Sequence, residues 1–154
     1  MRDSDGAKTI SCPCGYTEIT ARPAGTWQAR PSANSGRKYA DCCGRYLDDG
    51  ETAPTAEALM RSRYTAYALG REEYLLATWS QNTRPASLGL ESKQYGKWLR
   101  LEVKLHEQPE PDHAVVEFVA RYKVDGRAHR LHEISRFVRE GGQWFYVDGD
   151  IIRS

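Results

Sequence analysis

Apolar and polar residues follow two different rhythms along this chain, and one long stretch follows neither. From Pro54 the spacing is helical. Thr55 supplies an N-cap, Glu57 puts an acid in the first turn, and Leu59, Met60, Arg63, Tyr64, Tyr67 and Ala68 recur at intervals of three and four. Gly70 ends that helix, and Glu73 to Trp79 predicts a second, shorter one. "SQNTRPASLGLESKQYGKW" is rich in turn formers, with room for a short helix around Ser92–Trp98. Beyond it the period becomes two. Leu99, Leu101, Val103 and Leu105 alternate with Arg100, Glu102, Lys104 and His106, which predicts a strand with its leucines inward. "AVVEFVARYKV", "AHRLHEISRFVRE" and "QWFYVDGDII" follow as three more strands, separated by Asp125-Gly126 and Gly141-Gly142, both hairpin signals. Helices followed by a meander predict an α+β fold, the helices packed on one face of a curved antiparallel sheet.

The stretch without rhythm is residues 1–53. It is punctuated by Gly15, Pro23, Gly25, Pro31, Gly36, Gly44 and Gly50, and has too little apolar pattern to build a core of its own. Two regions are therefore expected, a tethered N-terminal segment at 1–53 and an α+β domain at 54–154.

Charge narrows the function classes. In 154 residues the formal net charge is +1, a poor match to general DNA binding, which rests on neutralising many phosphates. No apolar run is long enough to span a bilayer, so no membrane partner is expected. The start "MRDSDGAKTISCPCG" lacks the apolar stretch of a signal peptide. A cytoplasmic location is the expectation, and there structural disulfides are disfavoured.

That matters because all four cysteines, Cys12, Cys14, Cys42 and Cys43, lie in the segment that needs a tether. Four thiolates form the ligand set of a closed structural zinc site, and metal binding would supply folding free energy that the segment cannot raise alone. The spacing is C-P-C, then 27 residues, then C-C, which is not a zinc-ribbon pattern. Two other readings stand beside it. The cysteines could be buried without a ligand, or C-P-C or Cys42-Cys43 could cycle between dithiol and disulfide.

"CPCG" followed by "SGRKYADCCGRYL" resembles the SEC-C metal-binding motif, best known from the tail of the SecA translocation ATPase. The longer run from "YADCCGRYL" through "MRSRYTAYALGREEYLLATW", with "VEFVARY", "HEISRFVRE" and "GQWFYVDG" after it, is similar to the YchJ-like family of small bacterial proteins. The resemblance implies a metal held by Cys12, Cys14, Cys42 and Cys43. It also implies a cone-shaped domain like nuclear transport factor two. Zinc is the metal expected at such sulfur-rich coordination, with iron also served by thiolates. The family pattern has a short spacer between its cysteine pairs, as in an unbroken "CPCGSGRKYADCCG", so residues 16–34 stand as an insertion.

A cone-shaped fold encloses a pocket, for which the candidates are Arg63, Tyr67, Trp79, Glu117 and Glu133. His132 and Glu133 are consecutive on a strand and point to opposite faces, so Glu133 shares its face with Ser135 and Phe137. Its carboxylate could act in proton transfer, or pair with Arg63 or Arg121. Arg63 in turn could clamp an anion or pair with Glu117 or Glu133. The tyrosines and Trp79 at helical spacing also suit a core. His106, His113 and His129 lack any paired metal or catalytic spacing and are expected at the surface. Around the cysteines Arg22, Arg30, Arg37, Lys38 and Arg45 outnumber Glu18 and Asp41, a basic patch that could contact RNA or an acidic protein. The SecA motif binds the acidic chaperone SecB, and the motif-level resemblance implies a partner of that kind. A homodimer through an exposed sheet face is also consistent with the fold.

Overall fold

The structure, a computed structural model, describes residues 11–15, 38–88 and 97–152. The insertion at 16–34, Glu18, and the basic residues Arg22, Arg30 and Arg37 lie outside the described residues. So does most of the short helix expected at Ser92–Trp98, and its last two residues open a strand instead.

A 3-10 turn at Tyr39–Asp41 runs into a one-turn helix, α1 (Gly44–Leu47). Next come α2 (Ala56–Leu69) and α3 (Glu72–Ala77). Thr55 is extended, and its side chain accepts a hydrogen bond from the Ala58 N–H at 3.0 Å, satisfying one of the orphan donors of the first turn. Gly70 closes α2 at φ 73°, a left-handed cap that most side chains resist. The second helix is shorter than expected. Trp79 has left it and forms a parallel bridge to Tyr146, with the Tyr146 N–H donating to Thr78 O and the Ser80 N–H donating to Tyr146 O. That bridge ties the helical layer to the last strand.

The sheet is the expected antiparallel meander, in order β1 (Lys97–Glu110), β2 (His113–Val124), β3 (Arg127–Glu140) and β4 (Gln143–Ile151). At the β2–β3 turn Asp125 and Gly126 both have positive φ (51° and 80°), the geometry that tight hairpins between twisted strands require. Helix α2 lies against β1, β2 and β4. It is buried on more than one side. Met60 and Tyr64 face the sheet, Ser62 bonds Tyr74 of α3, and Thr65 meets the cysteine cluster, so α2 is an axle and not a half-exposed surface helix. Cys12, Cys14, Cys42 and Cys43 belong to the same apolar core as Leu59, Met60, Val116, Phe118 and Phe137.

Strand β1 departs from the simple alternation. Bulges at Leu99 and Lys104 interrupt its pairing with β2, and each extra residue reverses which side chains face inward. Trp98 pairs with Tyr122, Leu101 with Ala120, Val103 with Phe118 and His106 with Val116, all on the inner face. Leu99 and Leu105, expected inside, are instead 40% and 41% exposed. His106, expected at the surface, is half-buried, and its Nε2 is buried with no hydrogen-bond partner among the described residues. His113 and His129 are exposed as expected.

The bulges make a testable distinction between two leucines of one strand. Leu101→Ala removes a side chain that is 5% exposed and should cost about 2–5 kcal/mol in urea unfolding. Leu105→Ala should change stability by no more than about 0.5 kcal/mol, because the residue lies on the outer face.

Candidate functional site

The two cysteine clusters are brought together by short-range geometry. Ser11 and Lys38 form an antiparallel bridge that sets the segments side by side. The Gly15 N–H donates to Cys12 O at 3.0 Å, closing a turn around Cys12-Pro13-Cys14, with Gly15 at φ 70°. On the other side the Cys42 N–H donates to Tyr39 O at 3.0 Å, and Cys43 O accepts from the Tyr46 N–H at 2.9 Å at the start of α1. Gly44 is required there, since a Cβ would stand 2.7 Å from the Tyr39 carbonyl oxygen.

All four sulfurs converge. One ligand atom from each of Cys12, Cys14, Cys42 and Cys43 lies within 4.8 Å of every other, and none of the four residues exceeds 5% exposure. The cysteines are free thiols. Cys14 Sγ lies 3.6 Å from Cys42 Sγ, far beyond the ~2.05 Å of a disulfide and close to the roughly 3.8 Å edge of a tetrahedron built on ~2.3 Å metal–sulfur bonds. Hydrogen bonds from Cys14, Cys42 and Cys43 hold the Cys12 thiol well below its ordinary range. Cys14 is pushed well up, first by its hydrogen bonds to Cys12 and Cys42 and then by burial. Such a cluster cannot hold four negative charges unaided, and a cation among the sulfurs removes that restriction. The cluster can hold a metal ion.

Groups from the α+β region support it. The Thr65 hydroxyl of α2, fully buried, donates to Cys43 Sγ at 3.3 Å and lies 3.6 Å from Cys12 Sγ. Arg61 Nη1 donates to the Cys14 carbonyl at 3.1 Å, while its Nε pairs with Glu57 at 2.9 Å. Arg45 is turned inward, with Nε on Cys42 O at 3.0 Å and Nη2 on the Tyr46 hydroxyl at 3.0 Å. Of the expected basic patch, Arg45 is therefore engaged within the knuckle, and Lys38 is exposed.

A second site lies between α2 and the sheet. It is a cavity of about 330 Å³ with aromatic walls that include Tyr64, Tyr67, Trp98 and Tyr122. Arg63 and Glu133 both line it. Glu133 Oε2 accepts hydrogen bonds from Ser135 Oγ at 2.9 Å and the Tyr146 hydroxyl at 3.0 Å. Burial, and then the neighbouring Glu133 charge, push the Tyr146 hydroxyl up. Gly149 on the adjacent strand makes room for the Glu133 carboxylate, which any Cβ there would strike.

The expected pairings of these charges are not formed. Arg63 Nη1 donates instead to Leu75 O and Thr78 Oγ1, both at 2.8 Å, at the end of α3. Its guanidinium lies 4.6 Å from the Tyr146 ring centre and 5.0 Å from that of Trp79, and burial lowers its hold on its proton. Trp79 accordingly backs Arg63 and is not part of the wall. Glu117 is on the opposite face of the sheet, where it meets His132 Nε2 at 2.6 Å. The inner-face residue is its neighbour Phe118, because side chains alternate along a strand. Arg121 is exposed on that same outer face and does not reach Glu133.

Residues 55–149 match the family model described as "YchJ, middle NTF2-like domain". The chain belongs to the YchJ-like family. Its α+β class and meander are those of an NTF2-like domain preceded by a cysteine cluster. Curated relatives include a UPF0225 protein of Polaromonas naphthalenivorans, 51% identical over 92% of this chain and 98% of its own length. Another, from Cupriavidus pinatubonensis, is 54% identical over 95% of this chain and 92% of its own length. Among solved structures, a SEC-C motif containing protein from Rhodopseudomonas palustris is 32% identical, with a TM-score of 0.69, over 77% of this chain and 95% of that one. One from Psychrobacter arcticus is 29% identical with a TM-score of 0.69, over 96% of this chain and 86% of that one. Among the described residues of this YchJ-like chain, no helix is long and apolar enough to cross a membrane.

Sequence reasoning passed over Thr65 and Tyr146. A trace of Thr65 is present in Ser62 and Thr65, two small hydroxyl residues one turn apart in a helix whose other buried positions carry no hydroxyl shorter than tyrosine's. Thr65→Val should weaken affinity for an added metal ion about tenfold or more in a chelator competition, whereas Thr65→Ser should retain it.

Proposed function

We propose that Cys12, Cys14, Cys42 and Cys43 hold one zinc ion as a closed structural site, which fastens the N-terminal knuckle to the NTF2-like domain. The observation that carries this is the convergence of four buried free thiols within 4.8 Å of one another. Four cysteine ligands would fill a tetrahedral set, leaving none of the open position that a catalytic zinc keeps, and zinc brings no redox chemistry of its own. Its contribution is folding free energy and neutralisation of thiolate charge. The solved neighbours described as SEC-C motif containing proteins support the same reading. Elemental mass spectrometry on untagged protein should find one zinc per chain, with all four thiols unreactive until a chelator is added. Iron in its place would change the ion but keep the site; a disulfide and no metal would remove it.

We further infer that the protein is a binding module with a polyanionic partner, and that the contact surface is the outer face of the sheet more than the knuckle. Arg100 stands directly opposite Arg121, and Arg121 opposite Arg130, across three neighbouring strands. In the next row Lys97 stands opposite Lys123. All five are exposed. Like charges directly opposite one another destabilise a sheet, so two such rows favour an anion lying across them. RNA is the partner to test first, an acidic protein the other outcome. Arg100→Glu combined with Arg121→Glu should reduce RNA retention at least about tenfold and flatten its dependence on salt, with zinc content unchanged. Equal retention by the variant would remove this surface from the reading.

A further inference from the structure

The aromatic cavity contains an unusual pair of half-satisfied charges. Arg63 is 5% exposed, yet only Nη1 of its guanidinium makes hydrogen bonds; among the described residues Nε and Nη2 donate to nothing. Glu133 uses Oε2 for Ser135 and Tyr146, and its Oε1 accepts from nothing among the described residues. None of these three atoms is a buried unpaired group, so each remains open to water, whose place a bound molecule can take. Here both groups line one cavity, and they are linked through Tyr146, whose hydroxyl bonds Glu133 and whose ring lies under the Arg63 guanidinium. The cavity therefore presents spare donors and a spare acceptor from groups whose charges sum to zero. The walls around them are rings: Trp98 lies 5.5 Å from Tyr64 and 5.1 Å from Tyr122, centre to centre.

We propose that this cavity is a binding site for a small, flat, net-neutral molecule that carries an adjacent hydrogen-bond acceptor and donor, an amide on an aromatic or similarly apolar body. The carbonyl oxygen takes the free donors of Arg63, the N–H reaches Glu133 Oε1, and the apolar body lies among Tyr64, Trp98 and Tyr122. An anion would gain from Arg63 but be repelled by Glu133, and a cation would meet the converse, so the paired site selects against both. The size agrees, since small-molecule pockets begin at roughly 300 Å³. Ser135 and Tyr146 hold the carboxylate in place, and Gly149 keeps the space it occupies clear. This site is separate from the metal centre and does not depend on the zinc assignment.

The test uses the full-length chain with three probes of one shape and different charge: benzamide, benzoate and benzylamine. Binding is followed in 15N-labelled protein through the indole N–H resonance of Trp98, which lines the cavity. Benzamide should bind saturably and at least about tenfold more tightly than either charged analogue. Glu133→Gln, close in shape, should weaken benzamide about tenfold at an unchanged melting temperature. The ranking of the three probes on the unaltered protein decides the matter even if that variant folds poorly. Tightest binding by benzoate would show that Arg63 alone governs the site and would overturn the proposal. Tightest binding by benzylamine would make it a cation site and overturn it equally, as would no response at Trp98 to any probe at millimolar concentration.

Discussion

Four sulfur atoms packed within 4.8 Å of one another, in residues no more than 5% exposed, impose the constraint around which residues 11–15 and 38–47 are organised. As thiols they share too few acceptors, and as thiolates they repel in a medium that barely screens charge. A cation in their midst relieves both problems. The surrounding groups behave accordingly. The Thr65 hydroxyl is offered to sulfur, the Cys14 and Cys42 carbonyls are taken by Arg61 and Arg45, and Gly44 lets the Tyr39 backbone come close. These contacts serve the positions of the ligands more than the bulk of the core, which is the arrangement expected around a fixed ion.

The same helix that supplies Thr65 supplies Arg63, and the two residues point into different sites. Helix α2 thus separates the cysteine cluster from the aromatic cavity and forms a wall of each. Its sequence shows why it can do so. Ser62 and Thr65 are small and polar enough to meet a hydroxyl and two sulfurs, while Met60, Tyr64 and Tyr67 give a broad apolar face to the sheet. Such a helix has little amphipathic contrast, because solvent is not its main neighbour on any side.

Much of this was legible in the sequence, because the signals were local. The Thr55 cap, the Gly70 stop and the Asp125-Gly126 turn are written in single residues whose backbone demands are specific, and the four cysteines concentrate in an otherwise patternless segment. The losses came where a non-local choice overrode the local rhythm. Two bulges in β1 moved Leu99 and Leu105 outward and His106 inward, and a bulge depends on the partner strand, which periodicity does not encode. Glu117 was placed with the pocket as a possible partner for Arg63, although Phe118 beside it has the stronger claim to the inner face. Arg63, for which an anion or a pairing with Glu117 or Glu133 was considered, found the open end of α3, where backbone carbonyls await donors in any case.

Thr65 and Arg61 belong to α2, while the sulfurs and carbonyls they hold belong to the segment before it. The knuckle is therefore not a bead that could be strung onto an unrelated protein unchanged. A chain ending after Leu47 would carry all four sulfurs and still lack the surface on which they close. Transplanting the cysteines alone would carry over the ligands without the mould that shapes them.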